Sequence, residues 1–447
     1  MQLTGKRFYV FAMGCRSNQY EGEALASALR AKGAVLAAEN PDIIIVVTCT
    51  ITAQADMKTR KLFRKLRKEN NEAYIVATGC YAQGACGSDL SSLGVDLLVG
   101  NRLKHRIADL IEEQYGQNRC FSEVRTQLAA NQDWDSLQLD APGSHARAFI
   151  KIQDGCNHGC SYCIVPSVRG MPSSRKPEDI LLEVLRVVDS GCTEVVLTGI
   201  HLGLYSYDGI SLAKLIIKLG KISGLKRLRL GSIEPLAVTQ DLLTVLAETS
   251  CFCPHLHIPL QSGDDAVLAS MRRGYNRYDF YKIVEQSRAF LGENTHFSTD
   301  LMIGFPGETR EAFQNSIQLL SQLKFGKIHV FPYSARKGTA AYAMPNQIAA
   351  EVIKERTAEA LLFSSLQLDN YAKSWIGKTV SILVEKTHKN GIEGWTKEYI
   401  RAIGHGKTPV FRRDQAELFV FSSKQGSLFG DIMSAESGAN QRDSSFD

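Results

Sequence analysis

The sequence predicts an α/β protein in three parts. These are a doubly wound α/β domain over residues 1–135, a partial (β/α) barrel over 142–373, and a small antiparallel β barrel over 374–428. Residues 429–447, rich in Ser, Gly, Asn and Gln, read as a disordered tail. Three observations carry this. Apolar runs of strand length alternate with amphipathic helical stretches from Arg7 to Phe331. The alternation lapses between residues 120 and 145, where Asn131-Gln-Asp-Trp-Asp and Ala141-Pro-Gly-Ser read as a linker. From about Gly377 the texture changes to short strands around the turn signal Asn390-Gly391.

Composition narrows the class. With 44% hydrophobic and 22% charged residues, the 447-residue chain is ordinary for a soluble protein of two or three domains. A net charge of +5 does not by itself point to nucleic acid. The apolar stretch Phe8–Met13 is too short for a signal peptide, and no run has the length of a membrane span. Eleven cysteines are therefore expected as metal ligands or buried thiols in the cytoplasm, not as disulfides.

In the first part, Arg7–Ala12 reads as a strand and Gly14-Cys15 as the turn into a helix from Gln19 to Lys32. Asp42–Thr48 is the continuous apolar run of a buried parallel strand, ending in Cys49. Tyr74–Thr78 is another strand, ending in Gly79-Cys80, and Asp96–Val99 a further one. Cys15, Cys49 and Cys80 thus each follow a strand's C-terminal end. Those ends share one edge of a parallel sheet, where ligands bind, so three thiols distant in sequence converge on one candidate metal site. The alternative is three small buried residues. Lys58–Lys68 places seven Lys or Arg in eleven positions around a stripe of Leu62, Phe63 and Leu66. It reads as a solvent-facing basic helix, either solubilising or meeting RNA phosphates.

The middle part begins with strand Phe149–Gln153, which delivers three cysteines at C-x3-C-x2-C spacing: Cys156, Cys160 and Cys163. Three thiolates this close hold one metal centre and leave a position open for chemistry. Gly155 and Gly159 permit tight turning, and Tyr162 is placed to cover the site. A zinc knuckle completed by His158 or a remote cysteine is the competing reading. After the motif come helix Pro177–Ser190, strand Glu194–Thr198, helix Ser211–Ile222, and strands Arg227–Gly231 and His255–Pro259. Helix Tyr278–Leu291, strand Phe297–Ile303, helix Thr309–Leu323 and strand Lys327–Phe331 complete it. About six βα units suggest a partial barrel with its site at the strand C-termini. Thr198, Gly199, Glu234, Gln261, Ser262 and Asp300 fall at or near those ends and, with Tyr162, are candidate cofactor contacts. Gln261, Ser262 and Asp300 suit ribose or amino groups, and Glu234 an amine. Arg147, Lys151, Arg169 and Arg175 are expected to add charge near the mouth. In the last part Thr379–Glu385, Trp395–Ala402 and Ala416–Phe421 read as strands of a small barrel, a form that commonly binds oligonucleotides. Cys86, Cys120 and Cys192 receive no role, and Cys251-x-Cys253 reads as two packed thiols.

These motifs together resemble the radical SAM methylthiotransferase family over nearly the whole chain. The N-terminal blocks are Ala-Met-Gly-Cys15-Arg-Ser-Asn, Val-Thr-Cys49-Thr and Thr-Gly-Cys80-Tyr-Ala-Gln. The middle blocks are Gln153 to Gly170, Leu197-Thr-Gly-Ile-His-Leu-Gly, His257-Ile-Pro-Leu-Gln-Ser-Gly and Ser298-Thr-Asp-Leu-Met-Ile-Gly-Phe-Pro-Gly-Glu-Thr, then His329-Val-Phe-Pro-Tyr-Ser-Ala-Arg-Lys-Gly-Thr. Gly394-Trp-Thr-Lys-Glu-Tyr-Ile resembles a segment of the family's TRAM RNA-binding domain. Departures are Ser167-Val168, where an aromatic is usual, and the tail beyond Phe421.

The resemblance implies two [4Fe-4S] clusters, one on Cys156, Cys160 and Cys163 with S-adenosylmethionine on its open iron, and an auxiliary one on Cys15, Cys49 and Cys80. It implies reductive cleavage of S-adenosylmethionine to a 5′-deoxyadenosyl radical, hydrogen abstraction from adenine, and transfer of a methylthio group. Partners implied are the tRNA anticodon loop and an electron donor such as flavodoxin or ferredoxin, with no membrane. Gln153-Asp-Gly-Cys156 and Ser232-Ile-Glu-Pro235 look most like the MtaB-type branch, which acts on N6-threonylcarbamoyladenosine at tRNA position 37. The isopentenyladenosine branch is the alternative, and a third branch acts on a ribosomal-protein aspartate. A non-catalytic iron-sulfur or zinc RNA-binding protein is the reading from another class.

Overall fold

The computed structural model describes residues 3–116, 120–128, 134–140, 143, 145–406 and 409–436. The N-terminal sheet has β1 (Arg7–Ala12), β2 (Val35–Leu36), β3 (Ile43–Thr48), β4 (Tyr74–Gly79), β5 (Leu97–Val99) and β6 (Ser122–Val124). Its order is β2-β1-β3-β4-β5-β6, and every pairing is parallel. The unbroken apolar run of β3 is explained by helices on both faces. Ile43, Ile45 and Val47 join one core with α1 (Arg16–Ala31) and α5 (Ile107–Gln114). Ile44 and Val46 join another with Phe63 and Leu66 of α2 (Ala53–Glu69) and Leu90 of α4 (Gly87–Ser92). The short α3 (Cys80–Gly84) follows β4 directly. β6 lies where a linker was expected. Its three residues, Ser122, Glu123 and Val124, add an edge strand too short to leave a period.

The central region runs β7 (Ala148–Asp154), α6 (Val165–Arg169), β8 (Ser173–Ser174), α7 (Pro177–Asp189), β9 (Glu194–Gly199), the ribbon β10 (Ser206–Tyr207) and β11 (Ile210–Ser211), then α8 (Leu212–Leu219). It continues with β12 (Arg227–Leu230), α9 (Gln240–Glu248), β13 (His255–His257), α10 (Asp265–Ser270), α11 (Arg277–Leu291), β14 (His296–Ile303), α12 (Arg310–Gln322), β15 (Lys327–Pro332) and α13 (Ala350–Lys373). Parallel bridges Leu228↔Phe252 and Ser232↔His257 join the sheets β12-β9-β7-β8 and β13-β14-β15. Six parallel strands in chain order thus form an open barrel with β8 and β15 at its edges. The 24-residue α13 has no counterpart in the sequence reading. It covers β15, where the Ser364 hydroxyl donates to Ile328 O at 2.7 Å.

At the C-terminus β16 (Thr379–His388), β17 (Gly391–Thr396), β18 (Arg401–His405), β19 (Gln415–Lys424) and β20 (Ser427–Glu436) close a barrel in the order β16-β17-β18-β20-β19. Two expectations change here. The single strand expected over Trp395–Ala402 is two, broken by a turn in which Tyr399 takes a φ of 65°. The barrel also runs past residue 428, since β20 ends at Glu436, so 429–436 are not tail. Residues 437–447 of the expected tail, and 129–133, 141–142 and 144 of the expected linker, lie outside the described residues.

The three regions meet at the open barrel, whose interior is the chamber. The N-terminal domain bridges the barrel's open seam. On one side Glu21 of α1 meets Arg169 and Lys151, each at 2.6 Å; on the other Asp56 meets Arg336 beyond β15 at 2.7 Å. The β17–β18 turn forms the floor. Arg229 of β12 donates to Thr396 O (2.7 Å) and Lys397 O (2.6 Å), and His296 of β14 to Glu398 O at 2.6 Å. Tyr399 inserts its ring 4.8 Å from the Arg229 guanidinium and 5.0 Å from the His255 ring. Among the described residues no helix is long and apolar enough to cross a membrane.

Candidate active site between two cysteine triads

The first triad is local. β7 ends at Asp154, and Gly155 turns the chain with a φ of 73°; a Cβ there would lie 2.1 Å from Met171 O, so only glycine fits. Cys156 N–H donates to Gly170 O (3.0 Å), and Cys163 N–H to Cys160 O (3.1 Å). All three thiols are half-buried. The Arg273 guanidinium, just past α10, donates to Cys160 Sγ (3.1 Å) and Tyr162 OH (3.4 Å), and pairs with Glu234. Burial pushes the Cys163 thiol up to about 12 and raises Cys156 as well. Such thiols stay protonated until a cationic centre displaces the proton.

The second triad is assembled by topology. Cys15 follows β1, Cys49 follows β3 and Cys80 opens α3 after β4, at the same edge of the sheet. Burial pushes the Cys49 thiol up to about 11, and Cys15 and Cys80 stand close enough to add to that. Gly14 is required here, because a Cβ would lie 2.6 Å from Cys49 Sγ. Arg169 Nε donates to Cys80 Sγ at 3.1 Å, while its other nitrogens reach Glu21 (2.6 Å), Asp154 (3.2 Å) and Asn18 Oδ1 (2.6 Å). Burial alone would raise the Glu21 carboxyl, but Arg169, Lys104 and Lys151 hold it below the usual range. Each triad therefore has one buried arginine donating to one sulfur.

Among the described residues no three His, Cys, Asp or Glu side chains converge as a single metal ion requires. His158 Nε2 stands 3.4 Å from Arg273 O, and its ring 5.8 Å from that of His201. Three thiols in one short loop, and three at one sheet edge, are donors of the soft kind that iron–sulfur centres take.

The candidate cofactor contacts divide. Tyr162 lies beside the first triad, 6.4 Å from the Phe305 ring. Glu234 lines a cavity of about 380 Å³ next to the cysteine loop, with His158, His201, Arg273 and Tyr275. Gln261 takes a φ of 70°, uncommon for a side-chain-bearing residue, and its Oε1 is buried without a partner. The His201 Nδ1 is likewise buried and unpartnered. Such orphaned polar atoms beside the thiols fit a polar cofactor. Asp300 pairs with His257 at 3.3 Å, and His329 stands 5.4 Å from the His257 ring. Thr198 is buried, and at Gly199 a Cβ would crowd Gln153 O at 3.0 Å. Ser262 turns away. Its hydroxyl lies 3.5 Å from Ser316 Oγ of α12 and accepts the Asp264 N–H at 3.3 Å, which makes it a packing and capping group.

The expected mouth charges are also corrected. Arg147, Lys151, Arg169 and Arg175 are buried and neutralised by Glu194, Glu385, Glu21, Asp154 and Glu183. Sequence reading missed Arg273, His257 and His329 as site residues. Arg273 carries no local signal, because its partner Cys160 is 113 residues away. The histidines sit in quoted motifs, on β13 and β15 either side of Asp300 of β14. Cys251 and Cys253 are buried.

Comparison with known proteins follows the same division of the chain. Residues 150–320 match the Radical SAM superfamily, and residues 7–100 match the Uncharacterized protein family UPF0004. The chain is 33% identical to the threonylcarbamoyladenosine tRNA methylthiotransferase MtaB of Bacillus subtilis, over 88% of this chain and 89% of that protein. The Chlamydia pneumoniae protein of the same name is 38% identical, over 85% and 87%. The tRNA-2-methylthio-N(6)-dimethylallyladenosine synthase of Corynebacterium glutamicum is 33% identical, over 85% of this chain and 75% of its own. In fold, the chain resembles the radical S-adenosylmethionine methyltransferase TsrM of Kitasatospora setae, with a TM-score of 0.57 and 14% identity over 76% and 74% of the two chains.

Proposed function

The chain belongs to the radical SAM methylthiotransferase family, and from that premise we propose that it converts N6-threonylcarbamoyladenosine at tRNA position 37 to its 2-methylthio derivative. The observation that carries the reading is the pair of cysteine triads linked by Arg169, which donates to Cys80 of the second and to Asp154, two residues before Cys156 of the first. In this reading Cys156, Cys160 and Cys163 hold the [4Fe-4S] cluster of the superfamily, and Cys15, Cys49 and Cys80 hold a second. Together with S-adenosylmethionine, these groups supply the radical chemistry that an adenine C–H demands, since no side-chain base removes that hydrogen.

The chain's own residues do the positioning. Arg273 and Arg169 each hold one thiol side chain in place through a hydrogen bond at 3.1 Å, and each is itself fixed by a carboxylate. Glu234, Gln261 and Asp300 are the polar groups proposed to receive S-adenosylmethionine, with Tyr162 beside the thiols. The walls of the chamber keep water and oxygen from the reacting atoms. An anticodon-loop base enters more cheaply than a paired one, because it is already unpaired. Lys58, Lys61, Arg64, Lys65 and Lys68 are exposed on α2, whose start adjoins Cys49. With the C-terminal barrel, read as TRAM-like, they form the proposed tRNA surface. A flavodoxin or ferredoxin is the proposed electron donor, and the cytoplasm the proposed setting. The proposed working units are residues 1–135, 142–373 and the C-terminal barrel.

Mass spectrometry of tRNA nucleosides from cells with and without the gene tests this. Loss of the 2-methylthio group from threonylcarbamoyladenosine alone supports the reading. Loss from isopentenyladenosine instead keeps the reaction and moves the chain to the branch of the Corynebacterium relative. No change in either nucleoside overturns it.

A further inference from the structure

We infer that Arg16 is the residue that recognises the carboxylate of the threonylcarbamoyl substituent, and so sets which modified adenosine enters the chamber. The inference rests on the function proposed above and deepens it. The two candidate nucleosides differ in one decisive respect: the threonylcarbamoyl group ends in a carboxylate, and the isopentenyl group is wholly apolar. A carboxylate leaving water for a protein chamber needs a cation there.

Most of the cations around the chamber are committed to carboxylates, and the buried Arg102 to the carbonyls of Arg169 and Met171. Arg147, Arg227 and Arg229 share Glu194, at 3.3, 3.6 and 2.9 Å. Lys151 and Arg169 are held by Glu21 and Asp154, and Arg273 by Glu234. Arg16 differs. Among the described residues no carboxylate forms an ion pair with it. Its guanidinium donates to Tyr399 OH at 3.1 Å and lies 5.6 Å from the Tyr399 ring and 5.8 Å from the Phe149 ring. Two aromatic faces thus hold the planar group, and its remaining N–H donors stay available for a bidentate acceptor. It is half-buried, and its charge is felt at His255 and His329 of β13 and β15 across the chamber.

Its place in the chain fits the chemistry. Arg16 directly follows Cys15 of the second triad. On adenine, C2 and N6 flank N1 on the Watson–Crick edge, so a group gripping the N6 substituent must stand close to the groups that act on C2. Arg16 is joined to Cys15 in the chain, and its guanidinium lies between Phe149 of β7 and Tyr399. Tyr399, from the C-terminal barrel, braces it from below.

The test is binding and turnover by the full-length, anaerobically reconstituted protein. The probes are an anticodon stem-loop bearing threonylcarbamoyladenosine, its methyl ester, and the isopentenyl counterpart. The wild type is expected to favour the free acid over the ester by about 10-fold or more, the range of a charge-assisted hydrogen bond. Arg16→Gln is expected to remove that preference, with S-adenosylmethionine binding and iron content kept, and Arg16→Lys to restore part of it. A wild type that does not distinguish acid from ester overturns the inference without any variant. So does Arg16→Gln matching the wild type on the free acid, or weakening all three stem-loops equally, which would make Arg16 a phosphate contact. Turnover of the isopentenyl stem-loop alone by the wild type overturns the proposed function itself. That outcome is distinct from a wild type that accepts the free acid yet ignores the change at Arg16.

Discussion

The two cysteine triads do the same structural job by opposite means. One is a loop of eight residues, Cys156 to Cys163, fixed by its own turns and by Arg273 reaching in from beyond α10. The other has no loop at all. Cys15, Cys49 and Cys80 come together only because β1, β3 and β4 run parallel and end in register. A site encoded by spacing survives changes elsewhere in the fold, whereas a site encoded by topology depends on the whole sheet and on the interface that Arg169 crosses.

The first way to break the comparison is through the glycines. At Gly155 a Cβ would strike backbone at 2.1 Å, and the φ of 73° is left-handed, so Gly155→Ala cannot relax locally. Activity is expected to fall by at least about 10³-fold with loss of one cluster's iron. At Gly14 the φ of 86° is left-handed too, but the clash is with the Cys49 side chain and not with backbone. Gly14→Ala should cost less and should spare cleavage of S-adenosylmethionine, read as 5′-deoxyadenosine by chromatography.

The arginines give the next largest difference. Arg169→Ala leaves Glu21 and Asp154 buried beside one fewer cation, and is expected to cost about 3–5 kcal/mol in chemical denaturation. Arg273→Ala leaves Glu234, whose side chain is 22% exposed, and should cost only about 1–2 kcal/mol. Equal costs would contradict the distinction between the two sites.

The chamber floor supplies a pH-dependent contrast. Burial lowers His296 from its usual 6.5 to about 4, and its neutral ring donates to Glu398 O in the floor turn. Because the unfolded chain binds this proton more readily, stability is full above about pH 6.5 and declines as pH falls toward 4. The loss from His296 should reach about 3 kcal/mol, visible as a falling Tm, and His296→Phe should lessen the slope while His329 and His255, also lowered by burial, carry the rest. Cys49 and Cys163 contribute nothing over that window, since burial pushes their thiols up to about 11 and 12.

The same contrast explains what was legible beforehand. C-x3-C-x2-C declares itself in eight letters. The second triad was readable because each cysteine ends an apolar run, so strand prediction alone placed the thiols on one edge. Arg169 and Arg273 were not, since each acts on a sulfur 89 or 113 residues away. The floor was hidden for another reason: the turn at Tyr399 has no Gly, Pro, Asn or Asp to mark it, so β17 and β18 read as one strand. β20 was lost to composition, because its polar outer face resembles a tail.

The most direct test of the account is the iron content of the anaerobically reconstituted full-length protein and its triad variants, measured beside the two products. The account predicts about eight irons per chain in the wild type and about four in either Cys156→Ala/Cys160→Ala/Cys163→Ala or Cys15→Ala/Cys49→Ala/Cys80→Ala. The first variant should form neither 5′-deoxyadenosine nor methylthiolated tRNA, and the second 5′-deoxyadenosine alone. Four irons in the wild type, or methylthiolated tRNA from the second variant, would contradict the claim that two triads serve one chamber.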